Sequence, residues 1–323
     1  MWLRRAGVSA LLVTDRTNVR YLTGIDISSG LILLKNTGGT LFVDDRYIEC
    51  VNDAWSGMTV RHVRELSDVL RRVRRCGFEA EHVTVARREA WKKKFPQTLF
   101  VPCNDVIECR RRQKRPEELR ALRRAERMTE EMLRRVSPAL RRGMTERELA
   151  WKLHVWAHDC GADALAFDPI VAFGSNTSRP HHSPTSRRLR KGDLVQIDVG
   201  ARFRGYCADR SMVYFTGEPT ALQRKASAAV RDALVSAKAA VRVGVENRAL
   251  DRLARRILKS HGFTEEFCHA LGHGVGLEVH EGVTLSGKVT RTKLLHNEVI
   301  AIEPGLYFPG QFGMRFEEMV YVE

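Results

Sequence analysis

The sequence predicts a mixed α+β protein with two domains. Its 323 residues exceed the usual length of one domain, and a hydrophobic content of 43% is ordinary for a globular protein with a buried core. Residues 1–109 alternate short apolar segments with helical segments, which is typical of a small α/β domain. Residues 110–323 instead repeat one order of helix, helix and hairpin, which indicates a second domain with pseudo-two-fold internal symmetry.

The sequence of the first domain predicts strands and helices but contains no recognisable catalytic or metal-binding motif. Apolar and β-branched residues predict four strands, at residues 10–14, 31–34, 40–43 and 78–80. Helical periodicity predicts three helices, at residues 45–51, 67–75 and 87–94. The basic run at residues 110–115 follows, and we interpret it as a polar hinge between the domains.

The second domain contains two copies of one pattern. Pro116 opens the first long helix, and Thr145 with Glu148 predicts a capping box for the next helix. Gly143 and Gly244 begin equivalent helix-entry sequences at an offset of 244 − 143 = 101 residues. The second copy therefore repeats the elements of the first.

Each copy ends in a hairpin that carries two carboxylates. Asp198 lies inside an apolar run and Asp209 enters the returning strand, while Glu303 and Glu317 take the equivalent places in the second copy. A bend at residues 203–204 would place Asp198 opposite Asp209 on one face of the hairpin. Buried like charges repel unless they share a proton or bind a cation, so these hairpins require a positive partner.

A histidine completes the predicted ligand set. His273 lies among glycines, which indicate a backbone pressed close to a neighbouring group, and we expect these glycines to keep side chains out of a ligand pocket. One imidazole nitrogen and four carboxylates form a hard ligand set without sulfur, which suits Mn²⁺ or Co²⁺ and argues against a structural zinc site. Four carboxylates balance two divalent ions better than one. We expect two ions, with Mn²⁺ as the first choice and Co²⁺ or Zn²⁺ as alternatives.

These motifs resemble the pita-bread metallopeptidase family (M24), which includes Xaa-Pro aminopeptidases, prolidases and methionine aminopeptidases. The resemblance is carried by IDVG with ADR, GHGVGLEVHE, IEPGLY and MRFEE, and it covers nearly the whole chain. It implies a pita-bread catalytic domain at residues 110–323. The segments ALLVT, NVRYLTG and SSGLILL resemble the creatinase-type amino-terminal domain, which the resemblance places at residues 1–109.

The resemblance also implies a role for each ligand. Asp209 and Glu317 would bridge the two ions, Asp198 would chelate one ion, and His273 with Glu303 would hold the other. Glu303 would in addition relay the proton of the attacking water.

Two further histidines match the family's catalytic support. His181 corresponds to the histidine on the substrate side, and His280 corresponds to the one that contacts the scissile amide. An imidazole there can donate to a developing oxyanion. Arg315 is expected to hold Glu317 or a substrate group, and His182 and His269 are expected to act indirectly or in packing.

The activity implied is hydrolysis of proline-containing peptides. Many prolidases carry an arginine for the dipeptide carboxylate where this chain has Thr284, which favours an Xaa-Pro aminopeptidase over an Xaa-Pro dipeptidase. Prolidase is the alternative within the class. A non-catalytic pita-bread module that binds protein or nucleic acid is the alternative from another class, and the complete ligand set argues against it. The resemblance also implies a homodimer.

Charge and cysteines limit other functions. The formal charge of +15 comes mostly from arginine clusters, which we interpret as a solvated face because no nucleic-acid motif accompanies them. Seven scattered cysteines without a CxxC pair fit a reducing compartment. The apolar start is cut short by Asp15 and Arg16, so we interpret it as a helix end and a strand and expect a cytoplasmic protein without a membrane span.

Overall fold

The computed structural model describes residue 3 and residues 6–54 and 57–323, and for residues 52–54 it describes the backbone only. The chain divides after Arg110 into two compact units. No helix in the described ranges is long and apolar enough to cross a membrane. The helix end expected before the first strand falls partly on residues 1, 2, 4 and 5, which lie outside this description.

The first unit is built on one six-stranded sheet. Its strands are β1 (Ala10–Val13), β2 (Gly30–Lys35), β3 (Gly38–Val43), β4 (Thr59–His62), β5 (Arg75–Glu79) and β6 (Leu99–Cys103). They are ordered β4-β3-β2-β1-β5-β6. The helices are α1 (Arg16–Thr23), α2 (Ile48–Ala54), α3 (Leu66–Leu70) and α4 (Val85–Lys94), followed by the single turn α5 (Glu108–Arg111). Apolar residues on both faces of the central strands are buried, so the sheet is the core of this unit.

The sequence pattern found most of these elements and missed four. The helices α1 and α5 and the strands β4 and β6 were not predicted, and the helix expected at residues 67–75 ends at Leu70, before Arg75 begins β5. A signal for α1 was present. The side chain of Asp15 accepts a hydrogen bond from the backbone N–H of Asn18, which is an ordinary N-cap.

The first half of the second unit joins helices to two small sheets. The helices are α6 (Pro116–Arg134), α7 (Val136–Ala139) and α8 (Glu146–Asp159). One sheet has the order β12-β9-β8, from β8 (Ile170–Phe173), β9 (Leu194–Val199) and β12 (Arg210–Phe215). The other has the order β11-β10-β7, from β7 (Ala164–Leu165), β10 (Ala201–Phe203) and β11 (Tyr206–Cys207). Apolar residues of α8 pack on β8 and β9.

The second half repeats the helices of the first. Its helices are α9 (Ala221–Ala239) and α10 (Asn247–Ser260). Both α6 and α9 have 19 residues, and both α8 and α10 have 14. Its larger sheet contains β13 (Gly272–Gly274), β14 (Thr284–Leu285), β15 (Val299–Ile302) and β18 (Glu318–Tyr321), in the order β14-β13-β15-β18. A separate two-stranded sheet pairs β16 (Gly305–Phe308) with β17 (Phe312–Arg315). The predicted duplication is therefore present in the fold.

The register of the first hairpin differs from the prediction. Asp198 pairs with Ser211 rather than with Asp209. The turn is centred one residue later than expected, at Arg204 and Gly205, and both of these residues have positive φ. A two-residue turn of that kind sets the strand register, so Asp209 lies just before β12 instead of opposite Asp198.

The basic run at residues 110–115, predicted as a polar hinge, lies where the chain divides, and two of its cations are buried. Arg111 and Lys114 are each 3% exposed. Arg111 contacts the carboxylates of Glu278 and Glu281 at 2.5 Å, and Lys114 contacts Glu281 at 3.0 Å. The local sequence does not distinguish a solvent-exposed run of cations from cations in buried ion pairs, because the acidic partners of these cations lie more than a hundred residues away.

Candidate metal and active site

The four carboxylates converge where the two halves of the second unit meet. Asp198 lies near the end of β9 and Glu303 directly after β15, while Asp209 and Glu317 directly precede β12 and β18. All four line a cavity of about 380 Å³ together with His273. The site therefore draws its residues from both copies of the repeat, as the sequence predicted.

His273 presents one nitrogen to this group of carboxylates. Its Nδ1 donates to the carbonyl oxygen of Gly274 at 3.2 Å, which leaves the lone pair on Nε2. Nε2 lies 3.6 Å from Asp209 and 4.0 Å from Glu317, and the ligand atoms of these three residues lie within 4.8 Å of one another. Nε2 is also 3.9 Å from Glu303. This tautomer is the one that a metal-binding histidine requires.

The carboxylates lack enough donors for their charge. Oδ1 of Asp198 and Oδ1 of Asp209 are buried and have no hydrogen-bond donor among the described residues. Burial, together with the charges of Glu317 and Asp198, raises the pKa of Asp209 well above its ordinary value. Burial likewise raises the pKa of Glu317, and it raises that of Glu303 to about 7. Two orphaned oxygens in an oxygen-rich, buried acid cluster fit a divalent cation.

Arg315 is the fixed cation of the site. Its side chain donates to Oδ2 of Asp198 at 2.6 Å and to Oγ of Ser211 at 2.9 Å. Ser211 in turn donates to Glu317 at 2.9 Å, while Gln196 accepts from the backbone N–H of Arg315 at 2.7 Å. The expected contact between Arg315 and Glu317 is thus indirect, through Ser211. One guanidinium orients carboxylates from both hairpins.

Tyr307 connects Arg315 to His269. Its hydroxyl accepts from Arg315 at 2.8 Å and lies 3.1 Å from Nε2 of His269. Nδ1 of His269 donates to the carbonyl oxygen of Ala270, so its Nε2 accepts from the tyrosine hydroxyl. Burial, then the charge of Arg315, lowers the pKa of His269 to about 4. His269 is therefore a neutral acceptor behind the site and does not line the cavity.

The two predicted catalytic histidines line the cavity with the acids. The ring of His280 lies 4.1 Å from that of His273 in an edge-on arrangement. Burial and the proximity of His181 lower the pKa of His280. His181 is exposed, whereas its neighbour His182 is buried, and both line the same cavity. The sequence predicts an indirect or packing role for His182, and the structure places it in the cavity wall, hydrogen-bonded to Glu146 at 2.9 Å.

The glycines of the His273 segment serve neighbouring protein atoms. A Cβ on Gly272 would overlap the carbonyl of Ala301 in β15, and one on Gly274 would overlap the carbonyl of Glu281. A Cβ on Gly276 would overlap the Glu281 carboxylate. The predicted close approach of the backbone is present, but the neighbouring atoms belong to the protein, so the expectation that these glycines clear a ligand pocket was wrong.

Comparison with known proteins decides the family. Residues 120–323 match metallopeptidase family M24, and residues 1–113 match the Creatinase/Prolidase N-terminal domain. The chain belongs to metallopeptidase family M24. The pita-bread catalytic fold with a creatinase-type leading domain is therefore confirmed, and the chain is a peptide hydrolase rather than a non-catalytic binding module.

The similar proteins in this family include both dipeptidases and aminopeptidases. An Xaa-Pro dipeptidase of Pyrococcus furiosus is 30% identical over 98% of this chain and 91% of its own. The prolidase of Pyrococcus horikoshii OT3 superposes with a TM-score of 0.95 at 30% identity, covering 99% of this chain and 93% of the other. An X-Pro aminopeptidase of Thermotoga maritima MSB8 superposes with a TM-score of 0.90 at 31% identity, covering 99% and 94%. Similarity in sequence and structure therefore does not distinguish dipeptidase from aminopeptidase activity for this chain.

Sequence reasoning missed the supporting residues of this family M24 site. Ser211 directly follows the ADR motif and Tyr307 ends the IEPGLY motif, but no local pattern shows that they contact Arg315. No role was predicted for Glu146, yet its side chain is fully buried. The burial of an acid in the first turn of a helix cannot be predicted from the sequence, because it depends on the position of the loop that packs against it.

Proposed function

We propose that this protein is a metal-dependent exopeptidase that cleaves the bond between an amino-terminal residue and a following proline, with Xaa-Pro dipeptides as substrates. The carrying observation is the buried cluster of acids around Nε2 of His273, which has two carboxylate oxygens without a donor. The Xaa-Pro dipeptidases among the relatives support the dipeptide substrate.

The metal ligands in this proposal are five residues: Asp198, Asp209, His273, Glu303 and Glu317. The oxygen-rich set supports two divalent ions, with Mn²⁺ as the preferred metal. When bound, the ions supply Lewis acidity toward the scissile carbonyl and lower the pKa of the attacking water.

The remaining residues bind substrate and move protons. Glu303 takes the proton of the attacking water, because its carboxylate lines the cavity beside His273 and can accept a proton there. His280 and His181 bind the substrate in the cavity and donate hydrogen bonds to the developing oxyanion. Arg315 acts through Asp198 and Ser211 by holding the ligands in place.

One observation favours a second candidate, an Xaa-Pro aminopeptidase. A dipeptidase binds a free carboxylate next to the scissile bond, and such a charge needs a fixed cation when buried. Arg315 is the only lysine or arginine among the described residues that line the cavity, and it already contacts Asp198 and Ser211. Thr284, at the position of the arginine in many prolidases, carries no charge and is exposed.

One assay tests the proposal and separates the candidates. The protein is stripped with a chelator, reloaded with Mn²⁺, and offered Xaa-Pro, Xaa-Pro-Yaa and Xaa-Ala-Yaa. We expect hydrolysis before proline only, with the higher kcat/KM on the dipeptide. A higher kcat/KM on the tripeptide supports the aminopeptidase. No hydrolysis of either proline peptide by metal-loaded protein overturns the proposed function.

A further inference from the structure

Glu146 is a fully buried carboxylate whose bonds all go to one segment. It is the first residue of α8 and is 0% exposed. Oε1 accepts from the backbone N–H of Phe173 and from Asn176, both at 2.8 Å. Oε2 accepts from His182 at 2.9 Å and from the backbone N–H and hydroxyl of Thr185 at 2.9 and 2.6 Å. One side chain thus holds both ends of residues 173–185, which we call the His181 loop.

These bonds fix the charge state of Glu146 and the tautomer of His182. Burial opposes ionisation of Glu146, but hydrogen bonds from Thr185, His182 and Asn176 prevail and lower its pKa. A carboxylate only accepts, so Nε2 of His182 carries the hydrogen that it donates to Glu146. Charge-assisted hydrogen bonds of this kind are stronger than neutral ones. His182 is therefore a fixed part of the cavity wall.

His181 depends on this loop for its position. It is exposed, and its side chain makes no hydrogen bond to any of the described residues. Its neighbours are held instead: His182 by Glu146, and the carbonyl oxygen of Pro180 by Arg315 at 3.2 Å. The position of His181 is therefore fixed by the residues on either side of it rather than by hydrogen bonds of its own side chain.

The other half of the repeat contains a matched anchor without a histidine. Asn247 is the first residue of α10, as Glu146 is of α8, and it is 1% exposed. Its amide donates to the carbonyl oxygens of Thr284 and Thr290 at 2.9 and 3.0 Å and accepts from Thr292 at 3.0 Å. The anchor is thus part of the repeat. A carboxylate that binds a cavity histidine occurs at the Glu146 position and not at the Asn247 position.

We propose that Glu146 is a positioning residue for His181: through Phe173, Asn176, His182 and Thr185 it holds the His181 loop so that the imidazole reaches the substrate. This inference rests on the proposed function of His181. Small displacements of a substrate-contacting group cost large factors in rate, so loosening the loop lowers kcat/KM even though Glu146 touches no substrate.

The test is a double-mutant cycle on metal-loaded protein with the best Xaa-Pro peptide. Glu146→Gln is nearly isosteric but puts an amide NH₂ where one carboxylate oxygen accepted. We expect E146Q and H181A each to lower kcat/KM by roughly ten- to hundredfold. We expect E146Q to cause almost no further loss in the H181A background, because its effect passes through His181.

Asn247→Ala is the matched control. It removes an equally buried anchor from the other half, and its effect on kcat/KM should be the same with and without H181A. Hydrogen exchange of residues 173–185 should accelerate in E146Q and stay unchanged in N247A. Equal losses from E146Q in both backgrounds, or an unchanged kcat/KM in E146Q, would overturn the inference while the proposed function stands.

Two other results concern the proposed function directly. If wild type hydrolyses the peptide and H181A is equally active, His181 has no role and the positioning inference fails with it. If metal-loaded wild type hydrolyses no Xaa-Pro peptide, the proposed function fails. Hydrogen exchange then still tests the loop: an unchanged exchange rate of residues 173–185 in E146Q would show that Glu146 does not hold the His181 loop.

Discussion

Nε2 of His273 lies 3.6 Å from Oδ2 of Asp209, and the ring presents its lone pair in that direction because Nδ1 is bonded to Gly274. An ion at ordinary ligand distances of about 2.0–2.2 Å can contact both atoms. The donor atoms come from different halves of the repeat, so neither half alone forms the site.

The first prediction concerns that contact. Asp209→Asn keeps the shape of the side chain but removes a charge from the ligand set. We expect its metal content, measured by atomic absorption after dialysis, to fall below that of wild type. Loss of residues that only support ligands costs about 10–100-fold, so loss of a ligand should lower kcat/KM by more than about 100-fold.

His154→Ala is the control for Asp209→Asn. His154 is exposed on α8 and does not line the cavity of the acid cluster. It should keep wild-type metal content and turnover. Full metal content in D209N, or a loss in H154A as large as that in D209N, would show that the site has been misplaced.

The second prediction concerns the buried guanidinium. Arg315 is 2% exposed and contacts Asp198, Ser211 and Tyr307, so Arg315→Met leaves these acceptors and a buried carboxylate without a partner. We expect the metal-free variant to lose about 3–5 kcal/mol of unfolding free energy in urea. Arg134→Ala, which removes an exposed ion pair on α6, should leave the urea midpoint almost unchanged. Equal midpoints for R315M and wild type would contradict the assigned network.

Sequence patterning succeeded where the signal is local or repeated. The repeat is visible as matching segments about a hundred residues apart, and the helix cap at Thr145 follows from local spacing. The five residues predicted as metal ligands line one cavity. The register of Asp198 could not be fixed, because a shift of one residue in the turn at Arg204 changes every pair along the strands. The burial of Arg111 could not be predicted either, since its partner Glu281 is distant in the sequence. Such errors arise where a long-range contact decides the outcome.

The third prediction uses that distant pair. Burial alone would raise the pKa of Glu281, but the charges of Lys114 and Arg111 prevail and lower it below its ordinary value of 4.5. A depressed carboxyl pKa contributes stability above about pH 4.5 that is lost as the pH falls through the lower, folded-state value. Glu281→Gln removes this contribution.

We therefore expect metal-free E281Q to be less stable than wild type by about 3–5 kcal/mol at pH 7, with the difference shrinking as the pH falls below about 4.5. Urea unfolding at several pH values measures it. Glu131→Gln, from an exposed pair with Arg134, should show a much smaller pH-dependent difference, because solvent screens that pair. If the difference in unfolding free energy between E281Q and wild type is the same at every pH, it does not come from the charge of Glu281, and the ion pairs do not stabilise the fold.

The last prediction concerns the choice between dipeptides and longer peptides. Thr284 pairs with His273 in the β13–β14 ladder and is exposed, so a long side chain at this position can extend beside the metal site. Thr284→Arg adds a cation that, unlike Arg315, is not already bonded to Asp198 and Ser211. A charge-assisted hydrogen bond from it to a substrate carboxylate contributes about 1.5–3 kcal/mol. The ratio of kcat/KM for Xaa-Pro over Xaa-Pro-Yaa should therefore rise roughly ten- to hundredfold. Thr284→Gln, which is long but uncharged, should leave the ratio near that of wild type. An unchanged ratio in T284R would mean that the dipeptide carboxylate is bound elsewhere, and an equal rise in T284Q would assign the effect to side-chain length rather than to charge.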